Sequence, residues 1–294
     1  MARLAFLGTP EMAVPPLRAL AAAGHDIALC VTRPDRKRGR GAALSPSPVK
    51  AAALELGIPV SHKMDDLTKV EVELAVVVAY GRIIPVSLLE QIPMVNLHFS
   101  LLPRWRGAAP VERALLAGDT ETGVCLMKVE EGLDTGPVYS RATVRIGDLD
   151  LSELRAELVR VGTDLLVSSL AHGPAGLPEP VTQEGEATIA DKISKEELEL
   201  HWSEPALHLQ RVVRLGLAWT TFRSHRLRVL KATADPDSQP TPSSTPGLLR
   251  GTEVDTGAGV LHLVEVQPES RSPVSAEAWV RGIRPREGER LGTE

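Results

Sequence analysis

Seven consecutive residues without a charged or amide side chain, Leu74, Ala75, Val76, Val77, Val78, Ala79 and Tyr80, constrain this chain more than any other feature. A strand that is apolar on both faces needs cover on both, as in the interior of a parallel sheet flanked by helices. The N-terminus predicts how such a sheet begins. Leu4–Leu7 is a short buried strand stopped by Gly8, Thr9 and Pro10. In the helix that follows, Pro15 and Pro16 fit only the first turn, Leu17, Leu20 and Ala21 form the apolar stripe, and Gly24 closes it. Asp26–Thr32 is the second strand. This β-α-β opening implies parallel pairing with a right-handed crossover. Gly8 stands alone, with neither a Gly-x-Gly-x-x-Gly nor a phosphate loop after the first strand, which disfavours a dinucleotide or nucleoside-triphosphate site.

Later in the chain, Val95, Leu97 and Phe99 alternate with Asn96, His98 and Ser100, so a strand over Val95–Ser100 carries three polar residues on one face. Pro103 ends it, because it has no N–H for a ladder. Open α/β sheets bind ligands outside the carboxyl ends of their strands, and this triplet sits at such an end. The competing reading is a solvated edge strand with a satisfied histidine. A further strand, Gly123–Val129, leads into Gly132, Leu133, Asp134, Thr135 and Gly136. Two glycines around Asp134 make a tight loop that aims its carboxylate. An aspartate there is commonly just a turn former; its place after a neighbour of the histidine strand is what selects it. The segment Arg33–Gly41 holds five cations, Arg33, Arg36, Lys37, Arg38 and Arg40, against one acid, Asp35. It reads as an exposed, mobile loop at the carboxyl end of the second strand, suited to an anionic partner.

Composition limits the rest. The 294 residues are 43% hydrophobic but only 3% aromatic, so the core is aliphatic. A net charge of −5 gives no global affinity for nucleic acid, and any such binding needs a local patch. Cys30 and Cys125 lie in separate apolar runs and read as buried thiols in a reducing compartment. No metal-ligand spacing is visible. The N-terminus lacks signal-peptide anatomy, no apolar run approaches membrane-spanning length, and the chain is read as a cytoplasmic monomer. Residues 1–174 form one α/β domain. The helix-breaking stretch from Gly173 to Pro180 opens a linker, 175–204. Residues 205–294 read as a small β-barrel, with a helix near Pro205–Leu215 and short strands at Leu227–Lys231, Gly247–Leu249 and Gly259–Val264, interrupted by a Pro/Ser/Thr-rich hairpin, Asp235–Pro246. That part carries twelve basic and ten acidic side chains, with Arg211, Arg214, Arg223, Arg226, Arg228 and Lys231 clustered early in it.

These motifs together resemble the folate-dependent formyltransferases, and among them the methionyl-tRNA formyltransferases, over nearly the whole length. The likeness rests on Gly8-Thr9-Pro10, Pro34-Asp35-Arg36 with Gly39-Arg40-Gly41, Pro46-Ser47-Pro48-Val49-Lys50, the run ending Tyr80-Gly81, Asn96-x-His98-x-Ser100 through Pro110, the Asp134 loop, and Lys192-Ile193-Ser194-Lys195-Glu196-Glu197. The resemblance implies a Rossmann-like parallel-sheet formyltransferase domain followed by a small OB-like β-barrel. It implies transfer of a formyl group from 10-formyltetrahydrofolate, without a metal, to the α-amino group of methionyl-initiator tRNA. Asn96 and His98 would donate hydrogen bonds to the oxyanion of a tetrahedral intermediate, and Asp134 would keep His98 charged and collect the amine proton. The pterin pocket would be formed by the Val78–Ile84 segment with Tyr80, Gly81 and Ile83, by Ser100, Leu101, Leu102 and Pro103, and by the Leu133–Asp134 loop, largely through backbone groups. Arg36, Lys37, Arg38 and Arg40 would meet the tRNA acceptor stem.

Two rivals stay open at this level. Formyltransferases acting on glycinamide ribonucleotide or on nucleotide-linked amino sugars share Asn96, His98 and Asp134, and the sugar enzymes also carry a C-terminal domain; the Arg-rich loop favours tRNA. A non-catalytic RNA-binding module is the reading from another class, and an intact Asn/His/Asp set argues against it.

Overall fold

The apolar run becomes an interior strand. In a computed structural model describing residues 1–37, 44–235 and 245–292, the elements as far as residue 191 are, in chain order, β1 (Arg3–Gly8), α1 (Val14–Ala22), β2 (Asp26–Val31), β3 (Arg36–Lys37), β4 (Leu44–Ser45), α2 (Pro48–Glu55), β5 (Val60–Ser61), β6 (Leu74–Val78), α3 (Val86–Leu89), β7 (Met94–His98), β8 (Arg106–Gly107), α4 (Pro110–Ala117), β9 (Glu121–Lys128), β10 (Val138–Arg145), α5 (Leu151–Ser169) and β11 (Ile189–Ala190), all in the first unit except most of α4 and the first residues of α5. The main sheet among the described residues runs β10-β9-β7-β6-β1-β2-β5. From β7 to β5 it is parallel, while β9 and β10 are added antiparallel. All five residues of β6 are buried, as an apolar strand covered on both faces requires. One face packs Ala5, Leu7, Val31, Ala75 and Val77 with Leu67. Helix α1 buries Pro16, Leu17 and Leu20, with its two prolines in the first turn.

Three local expectations change. β6 stops at Val78, because Ala79 and Gly81 take φ of 47° and 72° and lead the chain out of the sheet. Beyond the strand, Ile83 is 85% exposed. β7 ends at His98; Ser100 instead closes a turn, its hydroxyl donating to the carbonyl of Arg104 at 2.6 Å. Nor is β7 a solvated edge strand, since it lies between β6 and β9. Finally, the basic segment does not stay irregular from Arg33. Arg36 and Lys37 pair antiparallel with Leu44 and Ser45 as the stem of a hairpin. Arg38, Gly39, Arg40 and Gly41 lie outside the described residues.

The hairpin stem is anchored next to α2. Lys50 donates to both carboxylate oxygens of Asp35, at 2.9 and 2.7 Å. Ser47 caps α2 by accepting from the Lys50 N–H at 3.0 Å, and its hydroxyl lies 2.7 Å from that of Thr32, both side chains buried. Ser47→Ala removes an N-cap and leaves the Thr32 hydroxyl without its partner, so it is expected to cost about 1–2 kcal/mol. Urea unfolding measures it, and an unchanged midpoint would refute the cap's role.

The second unit comprises residues 192–294 together with 112–120 and 146–153. Its elements are α6 (Ala206–Arg214), β12 (Trp219–Phe222), β13 (His225–Ala234), β14 (Leu249–Arg250), β15 (Glu253–Asp255), β16 (Val260–Pro268), β17 (Val274–Ser275) and α7 (Ala276–Ile283). The strands form an antiparallel, barrel-like sheet in the order β12-β13-β16-β15-β14, with β17 on β16. Leu209, Val213, Phe222, Val229, Leu263 and Trp279 belong to one core. β13 and β16 are longer than their apolar alternation suggested. Strand β12 and helix α7 were not expected at all. Helix α7 is capped by Ser275, whose hydroxyl accepts from Ala278 N at 3.2 Å, and ends where Arg284 turns left-handed. Of the hairpin Asp235–Pro246, residues 236–244 lie outside the described set.

Residues 175–204, expected as a linker, are instead paired at many points. Val181 bridges Val138, and Ile189 and Ala190 pair parallel with Arg106 and Gly107. The Leu200 N–H donates to the Trp219 carbonyl at 2.8 Å. The early cations of the C-terminal part are also engaged. Arg214 donates to the carbonyls of Gly147 and Leu149, Arg226 stacks over Trp219, and Arg223 grips Glu289, pulling that carboxyl down to about 2.

Candidate active site

The parallel part of the sheet reverses its order at β1, with β2 on one side and β6 on the other. Crevices at the carboxyl ends beside such a reversal are where open α/β sheets take ligands. There the Thr9 hydroxyl donates to the Tyr80 carbonyl at 3.4 Å, and Arg33 donates to that of Gly81 at 2.9 Å. β7 is the next strand, with Asn96 opposite Val77. The period of two puts Asn96 and His98 on one face; Asn96 is half-buried and His98 is 5% exposed.

Asp134 arrives by an indirect route. β9 runs antiparallel to β7, so its last residue, Lys128, lies opposite Val95 near the start of β7. Residues 129–137 must turn back before Val138 resumes opposite Met127. The loop is tight enough that a Cβ at Gly136 would collide with the Lys128 carbonyl oxygen. Asp134 itself adopts φ of 52°, the left-handed region that Asp and Asn tolerate better than other non-glycine residues.

The carboxylate of Asp134 is the hub. Its Oδ1 accepts from Asn96 Nδ2 at 3.3 Å, and its Oδ2 accepts from the Gly107 N–H at 2.9 Å and lies 3.5 Å from His98 Nδ1. The other imidazole nitrogen, Nε2, is 2.9 Å from the Trp105 carbonyl. A carbonyl can only accept, so Nε2 carries a hydrogen, and Nδ1 carries one only in the imidazolium. Trp105 reaches His98 because the loop after β7 reverses. Leu102–Pro103 is a cis peptide, Arg104 N bonds the Leu101 carbonyl, and Trp105 has φ of 63°.

Gly107 allows the close approach on its other side: a Cβ there would stand 3.0 Å from the Ala190 carbonyl oxygen. The segment carrying Ala190 also touches the site. Trp105 N donates to the Thr188 hydroxyl at 2.9 Å. Gln183 Nε2 donates to the carbonyls of Asp134 (2.9 Å) and Gly136 (2.8 Å), and its Oε1 accepts from Arg106 Nε (3.1 Å) and Nη2 (2.7 Å).

Thus Asn96, His98 and Asp134 meet. Among the other candidates, Ser100 spends its hydroxyl on Arg104, and Leu102 packs with Cys125, Met127 and Val138. What those two offer a ligand is main chain. Tyr80 is buried, and its phenol oxygen has no partner among the described residues. Leu101 and Pro103 are half-buried, while Gly81 and Ile83 are exposed beyond β6. Arg36 stands exposed on β3. Cys30 and Cys125 are buried, and burial pushes the Cys30 thiol up to about 12. Among the described residues, no three His, Cys, Asp or Glu side chains gather as metal ligands would, and no helix is long and apolar enough to cross a membrane. Sequence reading missed Trp105 and Gly107, which act through their backbones, and Gln183, a lone amide in a stretch without periodicity.

The Asp134 carboxylate thus gathers an amide, an imidazole and a backbone N–H. Residues 2–170 match the formyl transferase family, and residues 192–284 match the formyl transferase C-terminal domain. The chain belongs to the formyl transferase family. It is 41% identical to the methionyl-tRNA formyltransferase of Methylococcus capsulatus, over 99% of this chain and all of that one. It is 42% identical to that of Streptomyces coelicolor, over 99% of each. In fold it is similar to the N-formyltransferase of Helicobacter canadensis in complex with folinic acid and dTDP-3-aminofucose (TM-score 0.68, 15% identity, 90% of this chain and 99% of that one). It is also similar in fold to HypX of Aquifex aeolicus in complex with tetrahydrofolic acid (TM-score 0.63, 15% identity, 98% of this chain and 48% of that one).

Proposed function

We propose that this chain transfers the formyl group of 10-formyltetrahydrofolate to the α-amino group of methionyl-initiator tRNA, giving N-formylmethionyl-tRNA for translation initiation. The observation that carries the reaction is the convergence of Asn96, His98 and Gly107 on the Asp134 carboxylate. When the amine attacks the formyl carbon, the formyl oxygen becomes an oxyanion and the amine must shed a proton. Asn96 commits one amide hydrogen to Asp134 and keeps the other for that oxygen. His98 Nδ1 and Asp134 are 3.5 Å apart, too far for a good hydrogen bond, so an Nδ1 proton is uncommitted. These two donors are preorganised for the oxyanion. Asp134 takes the amine proton, directly or through water; collapse of the intermediate then breaks the bond between the formyl carbon and the folate N10, which takes up a proton and leaves as tetrahydrofolate.

The acceptor rests on the full-length likeness to the relatives above. By the same reading residues 1–174 hold the chemistry and 205–294 add affinity for tRNA, while Arg36, Lys37, Arg38 and Arg40 meet the acceptor stem. The test is formyl transfer from 10-formyltetrahydrofolate to charged initiator tRNA, side by side with a dTDP-linked amino sugar. Transfer to the tRNA alone is expected. Transfer to the sugar alone overturns the acceptor, and transfer to neither overturns the reaction.

A further inference from the structure

We propose that Gln183 is a positioning residue that sets the aim of the Asp134 carboxylate, a role that rests on the proposed catalytic part of Asp134. Its amide is saturated. Both Nε2 hydrogens go to carbonyls of the aspartate loop, those of Asp134 and Gly136, and Oε1 takes two N–H groups from Arg106. Only a primary amide offers two donors and an oxygen acceptor at one planar end. The loop needs such a hold. Asp134 is left-handed at φ of 52°, a conformation that persists where the surroundings over-determine it. The bonds on the carbonyls of Asp134 and Gly136 fix the peptide plane that follows Asp134 and the end of the turn.

The same residue ties the loop to the opposite side of the site. Arg106, held by Gln183, precedes Gly107, whose N–H bonds the Asp134 carboxylate, and follows Trp105, whose carbonyl bonds His98. Thr188 and Ala190 secure this piece from the same segment. Arg106 N donates to the Thr188 carbonyl at 2.9 Å, and Ala108 N donates to that of Ala190 at 2.9 Å. Gln183 is thus bonded to both loops that define the distance between His98 and Asp134. No part of it is bonded to Asn96, His98 or the Asp134 carboxylate, so its effect is geometric.

The experiment compares Gln183→Ala, Gln183→Glu, Asp134→Asn and the double variant Gln183→Glu/Asp134→Asn in steady-state formyl transfer to charged initiator tRNA, with a thermal melt of each. Glutamate keeps the shape and the acceptor for Arg106 but loses both donors, so a role confined to holding Arg106 predicts rescue. The expected result is loss of kcat by about ten- to a hundredfold in both Gln183 variants, the scale of a misplaced reacting group, with KM for both substrates little changed. In the Asp134→Asn background, the Gln183→Glu change is expected to add almost nothing. Wild-type kcat in Gln183→Glu, with Asp134→Asn inactive, overturns the positioning role alone. Wild-type kcat in Asp134→Asn overturns the reading of Asp134, and the role of Gln183 with it.

Discussion

Asp134→Asn is expected to lower turnover by on the order of a thousandfold at neutral pH while the protein stays folded. Asparagine is tolerated in the left-handed region at least as well as aspartate, so the φ of 52° survives the change. The carboxylate's work does not survive. Both oxygens accept from N–H donors, Oδ1 from Asn96 and Oδ2 from Gly107. An amide has one oxygen, so its nitrogen must face one of those donors, or the group must rotate away. The negative charge facing His98 Nδ1 is lost as well, and with it the base that collects the amine proton. General-base and oxyanion contributions of about a hundred- to a thousandfold each set the scale. Single-turnover formylation measures it. An Asp134→Asn enzyme within a few-fold of wild type near neutral pH would remove the electrostatic role.

His98→Ala is expected to cost about a hundredfold or more in kcat, the usual worth of one oxyanion donor. It is also expected to lower stability by about 1–2 kcal/mol, because the buried imidazole's hydrogen bond to the Trp105 carbonyl is lost. Kinetics should therefore be read well below the melting temperature. Asn96→Ala is expected to behave alike in kcat, with less effect on stability, since Asn96 is half-buried and its bond to the Asp134 carboxylate is long, at 3.3 Å. Turnover near wild type in His98→Ala would leave Asn96 as the oxyanion donor. Because Nε2 is held by the Trp105 carbonyl, Nδ1 can donate only from the imidazolium.

Local order was legible in the sequence where one segment answers to its own side chains. The alternation around Asn96 and His98 placed both on one strand face, and Leu74–Val78 became the interior strand that an unbroken apolar run demands. The prolines and apolar stripe of α1 and the β-α-β opening followed the same logic. These features depend on sterics and burial repeated every two or 3.6 residues, which a sequence displays directly. The folded chain alone decided which segments meet. β9 joins antiparallel, so Asp134 reaches His98 by turning back. The carbonyl that fixes the histidine tautomer belongs to Trp105, seven residues on. The residue that grips the aspartate loop is Gln183, forty-nine residues beyond Asp134. Each of these contacts is made by a backbone group or a lone amide with no periodic signature. Its partner is chosen by strand order and loop path, which are settled only when the whole sheet has closed over its core.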